Sequence, residues 1–159
     1  ITHDRNFEFS KSRYFVPSMY GEIVQREIKI VRLHDTGDFY SQGYLDKWSC
    51  IARTLPNTRF YAYTKSLQLD FKAFTRLPNT KIIQSFGGKY DSRIDLRLPH
   101  ARIFDSEREL KGFDGGIQYK NYVDCSKSDL IALEVVSPRI GLIKHWIERG
   151  YNEKTYDKY

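Results

Sequence analysis

The chain has 159 residues and a formal net charge of +6, from 26 Lys and Arg against 20 Asp and Glu. Apolar residues make up 40% of it, with ten Phe and twelve Tyr, so a core filled largely by rings is expected. No stretch approaches the roughly 20 consecutive apolar residues of a membrane span, and two cysteines, Cys50 and Cys125, exclude a disulfide-stapled secreted scaffold.

Residues 1–12 are polar with scattered aromatics (His3, Phe7, Phe9) and read as the tail of an element that begins upstream; a chain opening on Ile1 is itself expected to continue upstream. Val16, Met19, Tyr20, Ile23 and Val24 recur at helical spacing, which predicts a helix over 16–27 with Pro17 in its first turn. An apolar strand over 28–33 follows. Tyr44, Leu45, Trp48, Ile51 and Ala52 form a second helical stripe, beside which Cys50 reads as a small core residue. Strands over 59–64 and 81–86 flank a short helix over 69–74. Both strands open on the same letters, LPNT plus a basic residue, at 55–59 and 77–81. Proline stops each helix and Asn-Thr turns the chain, so the two copies read as equivalent structural units in a parallel sheet.

Beyond Phe86 the pattern loosens into a connection over 87–100. A short strand over 101–104, a small helix near 107–110 and a Gly-rich loop (Gly112, Gly115, Gly116) come next. Residues 128–133 read as helical or extended, 139–145 as a final strand, and the tail from Gly150 as frayed. Cys125 reads as a packed or half-exposed thiol. Charges are interspersed, with no run of five basic residues; this suits a mixed solvated surface and is compatible with a phosphate-bearing partner.

Three constellations can carry chemistry. His34, Asp35 and Asp38 surround Gly37 directly after an apolar strand, where α/β folds place their sites. They suit acid–base work or a divalent metal, while Asp35 or Asp38 alternatively caps the helix starting near Ser41. Tyr63, Thr64 and Lys65 end the next strand; Lys65 can pair with Asp38, hold an anion or act as an amine nucleophile. Gly87-Gly88 with Asp91, Arg93, Asp95 and His100 permits close approach of a ligand, Arg93 and Arg102 serving as anion clamps, or is a plain turn with surface ion pairs. His145 joins the rim or is structural. No phosphate-loop, dinucleotide, serine-hydrolase or zinc-protease motif is present.

The segments VRLHDTGDFYSQGYLDKW, FYAYTKS, DSRIDLRLPHARIF, YVDCSKSDLIAL and IGLIKH together resemble the phage- and plasmid-encoded gene product 88 family, over about Asn6 to His145. The resemblance implies no assigned activity. It does imply a cysteine-rich segment ahead of the part seen here. Thr36-Gly37-Asp38 is similar to the Gly-Gly-Glu strand of radical S-adenosylmethionine barrels, a fold-level analogy. No cysteine trio is present, so these residues build no iron–sulfur cluster; the cofactor is left unassigned, with S-adenosylmethionine or a divalent metal as the candidates.

The expected fold is α/β: a single domain over 1–159, a partial or open (β/α) barrel with mostly parallel strands. Its carboxyl rim is expected to carry His34, Asp35, Asp38 and Lys65 as catalytic groups, the first three as ligands of any metal. Thr36, Gly37, Tyr63, Arg93, Asp95 and His100 are the expected ligand-binding groups. The expected function is an enzyme or degenerate enzyme of phage or mobile-element origin in the host cytoplasm, taking a small anionic or nucleotide-like ligand. The alternative is a nucleic-acid or host-protein binding module using Arg59-Phe60-Tyr61, Lys89-Tyr90 and Tyr119-Lys120.

Overall fold

The computed structural model describes residues 2–112 and 121–144. Gly115, Gly116, Tyr119, Lys120, His145 and the tail from Gly150, all singled out above, lie outside the described residues. The chain divides into two compact units, Ile1–Ile94 and Asp95–Tyr159. Every strand pairing described within them is parallel and the strands alternate with helices, which makes the fold α/β.

The first unit opens with α1 (Thr2–Lys11), a helix where the polar composition suggested only a tail. Helix α2 (Phe15–Gln25) buries Phe15 and Ile23. It ends two residues short of expectation because Glu27 turns left-handed (φ 52°). There the Glu27 N–H donates to the Val24 carbonyl at 3.1 Å and the Ile28 N–H to the Ile23 carbonyl at 3.0 Å. These two bonds are the Schellman closure, with glutamate where glycine is usual. Ile28 is therefore held by the helix end, and β1 begins only at Ile30 (Ile30–Leu33).

Helix α3 (Gln42–Thr54) is capped by Ser41, whose hydroxyl accepts the Tyr44 N–H at 3.2 Å. Neither Asp35 nor Asp38 is needed for that task. The predicted stripe packs inward with Leu45, Ile51 and Ala52 fully buried. Cys50 is exposed, contrary to the expected core role. Two positions past Trp48 lies about 200° round the helix, on the opposite side. Strand β2 (Arg59–Thr64), the single-turn helix α4 (Lys72–Thr75) and β3 (Thr80–Ser85) complete the unit, with β2 between β1 and β3. Phe60, Phe74 and Leu33 join α3 in one core.

The Leu-Pro-Asn-Thr copies are not equivalent. Asn79 is buried and its amide donates to the carbonyls of Ala52, Leu55 and Thr58 at 2.9–3.0 Å, tying the second repeat to the first. Asn57 is exposed. Thr58 bonds across to the Ile28 carbonyl, whereas Thr80 bonds back to Phe74 and Leu77.

In the second unit β6 (Arg139–Ile143) lies between β4 (His100–Phe104) and the two-residue β5 (Val123–Asp124), which alternation could not reveal in so short a segment. Helices α5 (Glu107–Leu110) and α6 (Asp129–Glu134) are capped by Ser106 and Ser128, and α6 resolves the helical-or-extended ambiguity as helix. Cys125 is a packed thiol, 1% exposed. Gly141 makes room for Leu110, since a Cβ there would lie 2.6 Å from Leu110 Cδ1 and oblige that side chain to move.

Candidate functional site

The carboxyl ends of β1 and β2 share one edge, as parallel pairing of Leu33 with Ala62 requires. A cleft of about 670 Å³ opens there, between the loop after β1 and one face of α1. His34, Asp35, Thr36, Gly37 and Asp38 form one wall, with Tyr40 and Tyr44 behind them. His3, Asn6, Phe7 and Ser10 form the other, at the i, i+3, i+4, i+7 spacing of a single helix face. Tyr40, Tyr44 and the α1 residues were not among the site residues expected from the sequence. Their signal is the α1 face itself, whose residues are polar or aromatic where packing alone would place aliphatics.

Cross-links hold the two walls together. The Ser10 and Tyr40 hydroxyls bond at 2.8 Å, and the Phe7 and Tyr40 rings meet edge to face at 4.7 Å. Lys47 donates to the Ser10 and Ser12 carbonyls at 2.7 and 3.1 Å, which fixes the C-terminal end of α1. Tyr40 and Tyr44 stack at 4.7 Å.

His34 adopts a left-handed backbone (φ 63°), a costly conformation for a residue with a Cβ. Its ring meets Phe39 edge-on at 4.5 Å, and Nε2 lies 3.2 Å from the Tyr44 hydroxyl. The other nitrogen, Nδ1, is buried and has no hydrogen-bond partner among the described residues. Burial pushes the His34 pKa down, partly offset by the negative charge of Asp38. Burial likewise pushes the Tyr44 phenol up, with Trp48 opposing and Tyr40 adding.

Asp38 braces the rim. Its Oδ1 accepts from the Phe39 N–H at 2.7 Å and the Thr64 hydroxyl at 2.6 Å, and its Oδ2 accepts from the Lys65 N–H at 2.7 Å. Asp35 is exposed and has no hydrogen-bond or ion-pair partner among the described residues. Thr36 makes a long contact, 3.4 Å, with His3 Nδ1, and Gly37 uses a positive φ (82°) to turn the loop. His34, Asp35 and Asp38 do not converge as a metal site: among the described residues no three His, Cys, Asp or Glu side chains do.

The other expected rim residues lie outside this cleft. The Lys65 side chain runs over Gly88, where a Cβ would stand 2.8 Å from Lys65 Cβ. The N–H groups of Gly87 and Gly88 both donate to the Asp91 carboxylate, at 2.9 and 2.8 Å, so this glycine cradle is filled by the chain's own anion. Arg93 lies 5.4 Å from the centre of the Tyr90 ring. Tyr63 is half-buried, with the Arg32 guanidinium 5.5 Å from its ring centre. Asp95 and His100 belong to the second unit. Two bonds to Arg97, at 2.7 and 2.9 Å, help hold the Asp95 carboxyl down at about 2. His100 stands at the amino end of β4, the end away from that strand's carboxyl rim, 1% exposed and with Nδ1 2.9 Å from the Leu98 carbonyl. Of the residues proposed for stacking nucleic acid, Phe60 and Tyr61 are buried in the sheet and out of reach of a base.

No helix among the described residues is long and apolar enough to cross a membrane. Comparison with curated proteins and with solved structures found no match. A family model described as Gene product 88 matches residues 2–141, which takes in every element of the first unit and all but the last two residues of β6. By that match the chain belongs to the gene product 88 family.

Proposed function

We propose that this chain is an enzyme, or a degenerate enzyme, of phage or mobile-element origin that binds a small polar ligand in the β1–α1 cleft, in the cytoplasm of the host. The observation that carries the reading is the inward face of α1: His3, Asn6, Phe7 and Ser10 line an open volume of about 670 Å³, within the range of small-molecule sites. His34 is the group suited to proton exchange, a neutral imidazole held in a strained backbone with Nδ1 uncommitted. The anion clamps expected from the sequence do not support an anionic ligand, because neither Lys65 nor Arg93 lines the cleft. Among the described residues, the aromatic that the binding-module reading keeps is Tyr90, flanked by Lys89 and Arg93.

Two measurements on the same protein decide between these readings. Saturable binding of a member of a small-molecule library, lost in Tyr40→Ala, is the expected result. Oligonucleotide affinity that falls steeply with salt and is untouched by Tyr40→Ala, with no small-molecule binding, would overturn it in favour of the binding module.

A further inference from the structure

The lining of the cleft has the wrong sign for an anion. Asp35 and Asp38 contribute carboxylates, and no Lys or Arg is among the lining residues. Two of the chain's own cations near it are engaged elsewhere. Lys11 pairs with Glu8 at 2.7 Å and lies 3.8 Å from the centre of the Phe7 ring, and Lys47 is bound to main-chain carbonyls. Asp38 serves three internal donors, whereas Asp35 serves none among the described residues. The same cleft is lined by the stacked rings of Tyr40 and Tyr44, and Tyr40 is 39% exposed. A carboxylate unpaired among the described residues and aromatic rings lining one cleft are the combination that recognises organic cations, by charge at one end and ring quadrupole along the body.

We propose that the cleft takes a small organic cation, an amine or amidine, with its charge at Asp35 and its body against Tyr40. This rests on the ligand-cleft reading above and names the ligand class for it. The preference runs against the molecule as a whole, whose net charge of +6 steers anions toward its surface. Selectivity for a cation therefore has to come from the local carboxylate.

The test compares three probes of one shape, benzylammonium, benzyl alcohol and benzoate, at constant ionic strength. Each is titrated into the ¹⁵N-labelled chain while the amides of 34–37 and 40 are followed. Benzylammonium is expected to move these amides and to bind about tenfold more tightly than the alcohol, with that preference abolished in Asp35→Asn and restored in Asp35→Glu. Asp35 is exposed and unpaired among the described residues, so both variants should keep the wild-type spectrum elsewhere. If benzoate or benzyl alcohol moves the same amides as strongly as the amine, the cation assignment fails while the ligand cleft stands. If no probe moves them, both fall.

Discussion

Two non-glycine residues among those described in the first unit hold a left-handed backbone for different reasons. Glu27 does so only to close α2, and its exposed side chain gains nothing from the conformation. Glu27→Gly removes a steric cost of about 1–2 kcal/mol at the expense of extra chain entropy when unfolded. A net gain of about 0.5–1 kcal/mol is expected, read as a higher urea midpoint at unchanged slope. His34 carries the same steric cost at the cleft wall, where the strain holds an imidazole against Phe39 and Tyr44. Its folded-state pKa lies below the ordinary 6.5, so between those two values the unfolded chain binds more protons. The contribution is fully present above pH 6.5 and is lost as pH falls through the lowered folded value. Urea melts of wild type and His34→Gln at pH 7.5 and 5.0 should show a smaller acid loss in the variant. An equal loss in both would place the acid sensitivity on other groups.

At the scale of elements, the LPNT repeat is where the sequence was read most directly and also where it misled. Proline after Leu55 and Leu77 ends each helix, and two β-strands of like direction follow, as the letters implied. Identical letters nevertheless have different burial: Asn79 is packed under three carbonyls while Asn57 faces water. Asn79→Ala removes one donor from each of three carbonyls, of which those of Ala52 and Leu55 keep a main-chain N–H partner, and should cost about 1–3 kcal/mol. Asn57→Ala should stay within about 0.5 kcal/mol of wild type. Paired thermal melts of the two variants check both, and equal effects would contradict the asymmetry. Helix α1 escaped the reading for the opposite reason. Its inward face has no aliphatic period to detect, because it meets a cleft and the Tyr40 ring in place of a core.

At the scale of the whole molecule, parallel strand direction and the shared carboxyl edge of β1 and β2 were legible because Val, Ile and aromatic runs bounded by turn letters carry that information locally. The site was legible only in part. His34, Asp35, Thr36, Gly37 and Asp38 are contiguous and meet in one loop, whereas Lys65, Arg93, Asp95 and His100 were grouped by strand-end logic that the side chains do not follow. Lys65 turns to Gly88, Asp95 to Arg97, and His100 starts its strand. Where a side chain turns after its strand depends on neighbours far away in sequence, and a single sequence does not print them.

The closeness of Lys65 to Gly88 carries a consequence for how the chain can drift. With Lys65 Cβ only 2.8 Å from the site of any new Cβ at 88, the two positions share one volume. Gly88→Ala alone should lower the melting temperature, and Lys65→Gly alongside it should recover part of the loss, a non-additive pair in a double-mutant cycle. Relatives that have acquired a side chain at 88 should accordingly have surrendered bulk at 65, leaving a correlated trace in their alignment.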